Sequence, residues 1–199
     1  MANTDIARGL VPVSYRNGAP YNGAANVYYV PASDGTALFT GDPVAPVNAG
    51  SETKGIPTVT RATAAGGNYL MGSVVGIVSH GDPAVTVQFS TVNYRAASTE
   101  MYVLVADDPN LLFEIQEDGV GGAMGVGAPS RNVDMVAGTG STATGWSGFE
   151  LDSSTLDTTN TLQFRIHRPV DRVDNDSTLT NAKWLVSINL HHFNYTTGI

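Results

Sequence analysis

Residues 100–118, EMYVLVADDPNLLFEIQED, constrain the fold of this chain more than any other stretch. Residues 101–106 are apolar at every position, so a strand there is expected to be buried on both faces. In residues 111–117, Leu111, Phe113 and Ile115 share one face, while Glu114 and Gln116 share the other with Leu112, the pattern of a half-buried strand. Between the two runs, Asp108-Pro109-Asn110 suits a type I turn: Asp accepts at the first corner, Pro presets φ, and Asn tolerates the third position. The local pattern therefore reads as a β-hairpin that forms the scaffold of the domain, with acids at both ends.

The rest of the chain repeats this grammar. Residues 25–30 (ANVYYV) form a strand closed by Pro31, and short apolar pieces follow at 37–39 and 44–47. Pro43 and Pro46 assign the latter to an edge or an irregular strand, and residues 48–55 read as a polar loop. Residues 57–61 are a weak strand. Residues 72–79 (GSVVGIVS) are a buried strand in which Gly76 marks a bulge, and the turn 81–83 leads to alternation over 85–89. Residues 119–130 are glycine-rich and expected to be mobile; 132–136 and 149–151 are short strands. Residues 162–170 and 184–194 carry the cleanest alternation and read as long, half-buried antiparallel strands joined through the polar segment 171–181.

No window sustains a helical period. The expected class is all-β: an antiparallel β-sandwich or barrel with long Gly/Ser/Thr loops and little helix. Residues 1–24 lack periodicity, contain two Asn-Gly turn signals and are interrupted by Pro12 and Pro20, so they read as an extended N-terminal arm on a single β-rich domain, residues 25–199. Arg8, Tyr15, Arg16 and Tyr21 in this segment are of types enriched at interfaces and are the candidate partner-binding residues. The alternative for the larger side chains of the segment is that they pack on their own domain.

Charged residues are only 14%, with a net charge of −8 and Lys only at positions 54 and 183, so no basic face suits nucleic acid. A surface of small neutral polar groups costs little to desolvate and permits protein–protein contact. Cysteine is absent, which removes thiol chemistry and Cys-based metal sites. The N-terminus lacks the basic-then-apolar pattern of a secretory signal and no apolar run is long enough to span a membrane, so the chain is expected to be made in the cytoplasm.

Candidate chemistry is thin. Residues 119–127 lack the spacing and the lysine of a phosphate loop, and Gly145-Trp146-Ser147-Gly148 falls one residue short of a nucleophile elbow. Asp171, Asp174 and Asp176 lack the glycine turn and distal Glu of a calcium loop; a solvated acidic loop is the preferred reading. Adjacent His191 and His192 point to opposite faces of a strand, and His167 could meet His191 if their strands pair. The expectation is no catalytic residues, no metal and no cofactor.

The segments MANTDIARGLVPV, YYVPASDGTALFTGDPV, YVLVADDPNLLFEIQEDGVGG, WSGFELDSS and AKWLVSINLHHF, in this order along nearly the whole chain, resemble a family of tailed-bacteriophage virion structural proteins. Within that class the resemblance is greatest to capsid cement, or decoration, proteins. It implies a β-rich homotrimer on the outer capsid surface that contacts the major capsid protein and reaches neighbours with a terminal arm. A tail or head–tail connector component, or a carbohydrate-binding β-sandwich using Trp146 as a stacking platform, are the alternatives.

Overall fold

The computed structural model describes residues 2–78 and 92–194. The strand expected over 85–89 and the turn at 81–83 lie outside these residues. The described chain is all-β. Among the described residues, helix is limited to two 3-10 turns, Ser153–Thr155 and His192–Asn194.

Two sheets dominate. The first is a closed barrel built from β2 (Asn26–Val30), β4 (Pro43–Ser51), β5 (Pro57–Arg61), β6 (Gly72–Val78) and β8 (Met101–Ala106), in the order β2-β5-β4-β6-β8. Its pairings are antiparallel except β2 with β5. A two-stranded piece, β3 (Leu38–Phe39) with β7 (Tyr94–Arg95), accompanies it. The second sheet is open, in the order β1-β9-β14-β13-β10, from β1 (Val11–Tyr15), β9 (Leu111–Gln116), β10 (Asn132–Val133), β13 (Phe164–Pro169) and β14 (Lys183–Ile188). A ribbon of β11 (Met135–Val136) and β12 (Glu150–Leu151) lies beside it.

Each sheet has its own core. Inside the barrel, Val30, Leu38, Val44, Val59, Val74, Val103 and Val105 are fully buried. Beneath the open sheet, Phe113, Ile115, Phe164, Ile166, Trp184, Val186 and Ile188 form the larger cluster, closed by Phe149 and Leu151 and by Met124 and Ala128 of the glycine-rich segment. That segment, expected to be mobile, is thus anchored through two apolar side chains and a hydrogen bond from the Met124 amide to the Glu117 carboxylate.

The expected hairpin is corrected. The turn forms as read: the Leu111 amide donates to the Asp108 carbonyl at 3.1 Å, and the Asn110 amide to the Asp108 side chain at 2.7 Å. The flanking strands, however, do not pair with each other. β8 pairs with β2 and β6 in the barrel, whereas β9 pairs with β1 and β14 in the open sheet. The turn therefore carries the chain from one sheet to the other. Period-two alternation specifies that a segment is a strand, but not which edge it joins.

Other expectations shift in smaller ways. β8 is not buried on both faces: Val103 and Val105 point into the barrel, while Tyr102 and Leu104 are half-buried outside. β4 extends to Ser51, into the expected polar loop. It is irregular, as its prolines require: it leaves β6 after Val44, and its register with β5 slips between Pro46 and Ser51. β6 bulges between Val74 and Gly76. β14 is a central strand with Leu185 and Ser187 buried on its outer face, so it is more than half-buried. The 132–136 strand splits between two sheets.

The N-terminal segment is extended and packs on its own domain. β1 forms the edge of the open sheet against β9, and Leu10 is buried in the larger core. The Asn3 side chain reaches the carbonyls of Asp176, Leu179 and Thr180, and Gln116 ties Asp5 and the Ile6 amide to β9.

Candidate functional site

The four candidate contact residues fall into two neighbouring depressions flanking β1. Arg8 and Tyr21 line a groove of about 360 Å3 between β1 and barrel strand β6, with Leu10, Pro12, Val75 and Trp146. Tyr15 and Arg16 line a second recess on the turn that follows β1, with Asn17, Asn22 and Asp108. Tyr15 and Tyr21 both pack partly against the larger core. Burial, then Tyr15 and Asp107, push the Tyr21 phenol above its ordinary pKa, and its hydroxyl donates to the Ala24 carbonyl. The tyrosines are thus half-buried and partly used by the fold, whereas Arg8 and Arg16 are exposed.

Backbone stitching explains how Arg8 reaches the groove. Gly9 has φ of 66° and lies so close to the barrel that a Cβ there would sit 2.2 Å from the Gly41 carbonyl oxygen. The Leu10 amide donates to that same oxygen at 2.8 Å. On the other side, Thr40 forms a parallel bridge with Trp146. Residues 40 and 41 therefore hold Arg8 and Trp146 together, and the Arg8 guanidinium carbon lies 4.0 Å from the centre of the Trp146 ring. Trp146 as a whole is 38% exposed. Its role as a free stacking platform for a sugar is reduced, because one face is already taken by a cation from the same chain.

Asp107, Asp108, Glu117 and Asp118, the acids at the two ends of the expected hairpin, are committed to internal contacts. Asp107 receives hydrogen bonds from Tyr28 at 2.5 Å and from Asn26 at 3.0 Å, and burial followed by that contact pushes the Tyr28 phenol far up. Asp108 closes the crossing turn. Glu117, fully buried, accepts from Trp184 Nε1 at 3.0 Å, and burial pushes its carboxyl up despite the hydrogen bonds that stabilise the charge. Asp118 holds Ser153 through both its amide and its hydroxyl.

The remaining motifs resolve the same way. Ser147 is buried, accepts from the Phe149 amide and bonds to Asp42, whose carboxyl is pushed up by burial. Its hydroxyl is thus not presented to solvent as a nucleophile's would be. Asp174 pairs with Arg172, and Asp176 accepts from Thr178. His167 and His191 do not meet: His167 contacts Ser187 at 2.9 Å on the outer face of the open sheet, and His191 is buried. Among the described residues no group of three metal-ligating side chains assembles.

Arg95 is the feature that sequence reading missed. Fully buried, it donates to the carbonyls of Pro31, Asp34, Thr36 and Thr99, with the Asp34 carboxylate 3.9 Å away, and so pegs two loops at the barrel end. A lone arginine beside a turn carries no sequence signal for such a role. The chain matches no protein-family model, no curated protein and no solved structure.

Proposed function

We propose that this chain is a contact-making structural protein of a virion, one that binds the outside of a capsid lattice and stabilises it, rather than an enzyme. The observation that carries this reading is the exposed apolar stretch along the N-terminal segment. Ile6, Val11 and Val13 are 46%, 39% and 40% exposed, and Ile6 and Val11 line adjoining recesses that share Arg8. Such a strip beside an arginine is what a protein partner covers. The phage-virion resemblance of the sequence, its low charge density and the internal use of its carboxylates support the same reading. The major capsid protein is the proposed partner, with a homotrimer as the working form.

Cryo-EM of purified particles tests this directly. The expected result is density for this fold on the outer shell in hundreds of copies, with occupancy reduced in particles carrying Arg8→Ala. A handful of copies at the tail vertex would replace cement with a connector role. Absence from the particle would remove the virion reading. Deleting the N-terminal segment is a poorer probe, because Leu10 belongs to the core.

A further inference from the structure

The outer face of the open sheet carries a cationic recess of about 380 Å3, lined by Arg16, Arg165, His167, Ser187, Asn189 and Asn194. It is out of character for a chain of net charge −8. Among the described residues, none that lines it is a carboxylate and neither arginine forms an ion pair. Three elements converge to build it. Arg165 and His167 project from β13 on the same face, Ser187 lies opposite them on β14, and Arg16 arrives from the turn after β1.

The recess has a fixed floor and open donors. Ser187 is fully buried and contacts His167 Nε2 at 2.9 Å, which sets the imidazole against β14. Arg165 Nε donates to Asn132 Oδ1 at 3.0 Å, which orients its guanidinium. Burial, then the Arg16 and Arg165 charges, hold the His167 imidazole below its ordinary pKa, so the two guanidinium groups lie near enough to the ring to disfavour a third positive charge there. Asp108 lies on the far side of Arg16, in the neighbouring depression, so within this recess the convergent guanidinium groups define a site for a negative group, and their forks match the geometry of oxyanions.

We propose that the Arg16–Arg165–His167 recess is an oxyanion-binding site, taking a phosphate, sulfate or carboxylate group. The two arginines supply the charge and paired donors, with the Asn194 side chain lining the recess beside them; the Asn189 amide is already donating to the Asn160 and Leu162 carbonyls. The site holds whether or not the chain decorates a capsid. Its ligand is either a free small oxyanion or an acidic side chain of a partner, and the chemistry is the same.

The test is an NMR titration of the full chain with sodium sulfate at constant ionic strength, following the His167 ring and the Arg165 Nε–H. A saturable shift of both is expected, together with a rise in the pKa of His167. Arg165→Gln and Arg16→Gln each weaken binding about tenfold, the scale of one charge-assisted contact. Arg168→Gln, on the same strand but outside the recess, leaves it unchanged. A second arm with a glutamate-rich hexapeptide identifies the source: tighter binding than sulfate assigns the site to a partner's acidic segment, and equal or weaker binding assigns it to a free oxyanion. Shifts that do not saturate with sulfate, or that persist unchanged in the Arg16→Gln/Arg165→Gln double variant, overturn the proposal.

Discussion

The barrel and the open sheet solve the same problem by different means. The barrel has no free edge, and its interior is filled mainly with Val, Leu and Ile side chains, together with Tyr28 and Met71. Its fully buried charge, Arg95, is spent on backbone carbonyls and stays protonated at any ordinary pH. The open sheet is larger and is closed by loops, and buried ionisable groups lie in and around its core: Glu117 against Trp184, Asp134 accepting from the Gln163 amide, and His191 beneath the crossing turn. Buried titratable groups make stability a function of pH; in the barrel half that role falls to Asp42, whose carboxyl burial pushes up, against Glu117, Asp134 and His191 in the open-sheet half.

The largest test of this contrast is Trp184→Ala. It empties the centre of the open sheet and removes the hydrogen-bond donor from buried Glu117, so a loss of about 4–5 kcal/mol is expected in chemical denaturation. Arg95→Met is next, with a loss of about 3 kcal/mol, because the carbonyls it serves are left partly unpaired. Although this change is in the barrel half, it should lower the midpoint reported by tryptophan fluorescence, since both tryptophans lie outside the barrel strands. A fluorescence midpoint unmoved by Arg95→Met would mean that the two halves unfold separately.

The pH dependence is a finer test. Burial pushes the His191 imidazole from 6.5 down to about 4, against the opposing pull of Asp107 and Asp108 and with a further push from His192. A depressed histidine means that the unfolded chain binds the proton first. Its contribution is therefore fully present above pH 6.5 and is lost as pH falls towards 4, by about 3 kcal/mol in all. Glu117 and Asp134 have raised pKa values and act with the opposite sign, regaining stability as they protonate. His191→Phe should flatten or reverse the loss between pH 6.5 and 4. An unchanged slope would place the pH sensitivity outside the open-sheet core.

The sequence was informative about strands and poor about their partners. Alternation located β9 and β13 to within two residues and the start of β14 to within one, and Asp108-Pro109-Asn110 announced its own turn, because these signals are local; β14 nevertheless ends at Ile188, six residues before the expected end, and His192–Asn194 form a 3-10 turn. The same turn residues serve either to reverse a chain within a sheet or to pass it to another, so the hairpin reading of 100–118 could not be distinguished from the crossing that exists. In the candidate site, Arg8 and Trp146 were recognisable by type, but their contact depends on the Gly9–Gly41 approach, which joins segments far apart in the chain. The cationic recess was invisible for the same reason: Arg16, Arg165 and His167 meet only once β9 and β14 have set the distance between them.

The pairing of β1 has a consequence for how the chain is made. Val11 pairs with Glu114 and Tyr15 with Leu111, so β1 leaves the ribosome before any of the five barrel strands and must wait for all of them to be synthesised before its neighbour exists. Until then an apolar edge, Val11 and Val13 included, stands without a template of its own. Pairings this distant in sequence form slowly and are open to capture by another chain's β9. A strand exchanged between nascent copies would be a route to intertwined assemblies, and Pro12, which cannot donate to a ladder, limits that exchange.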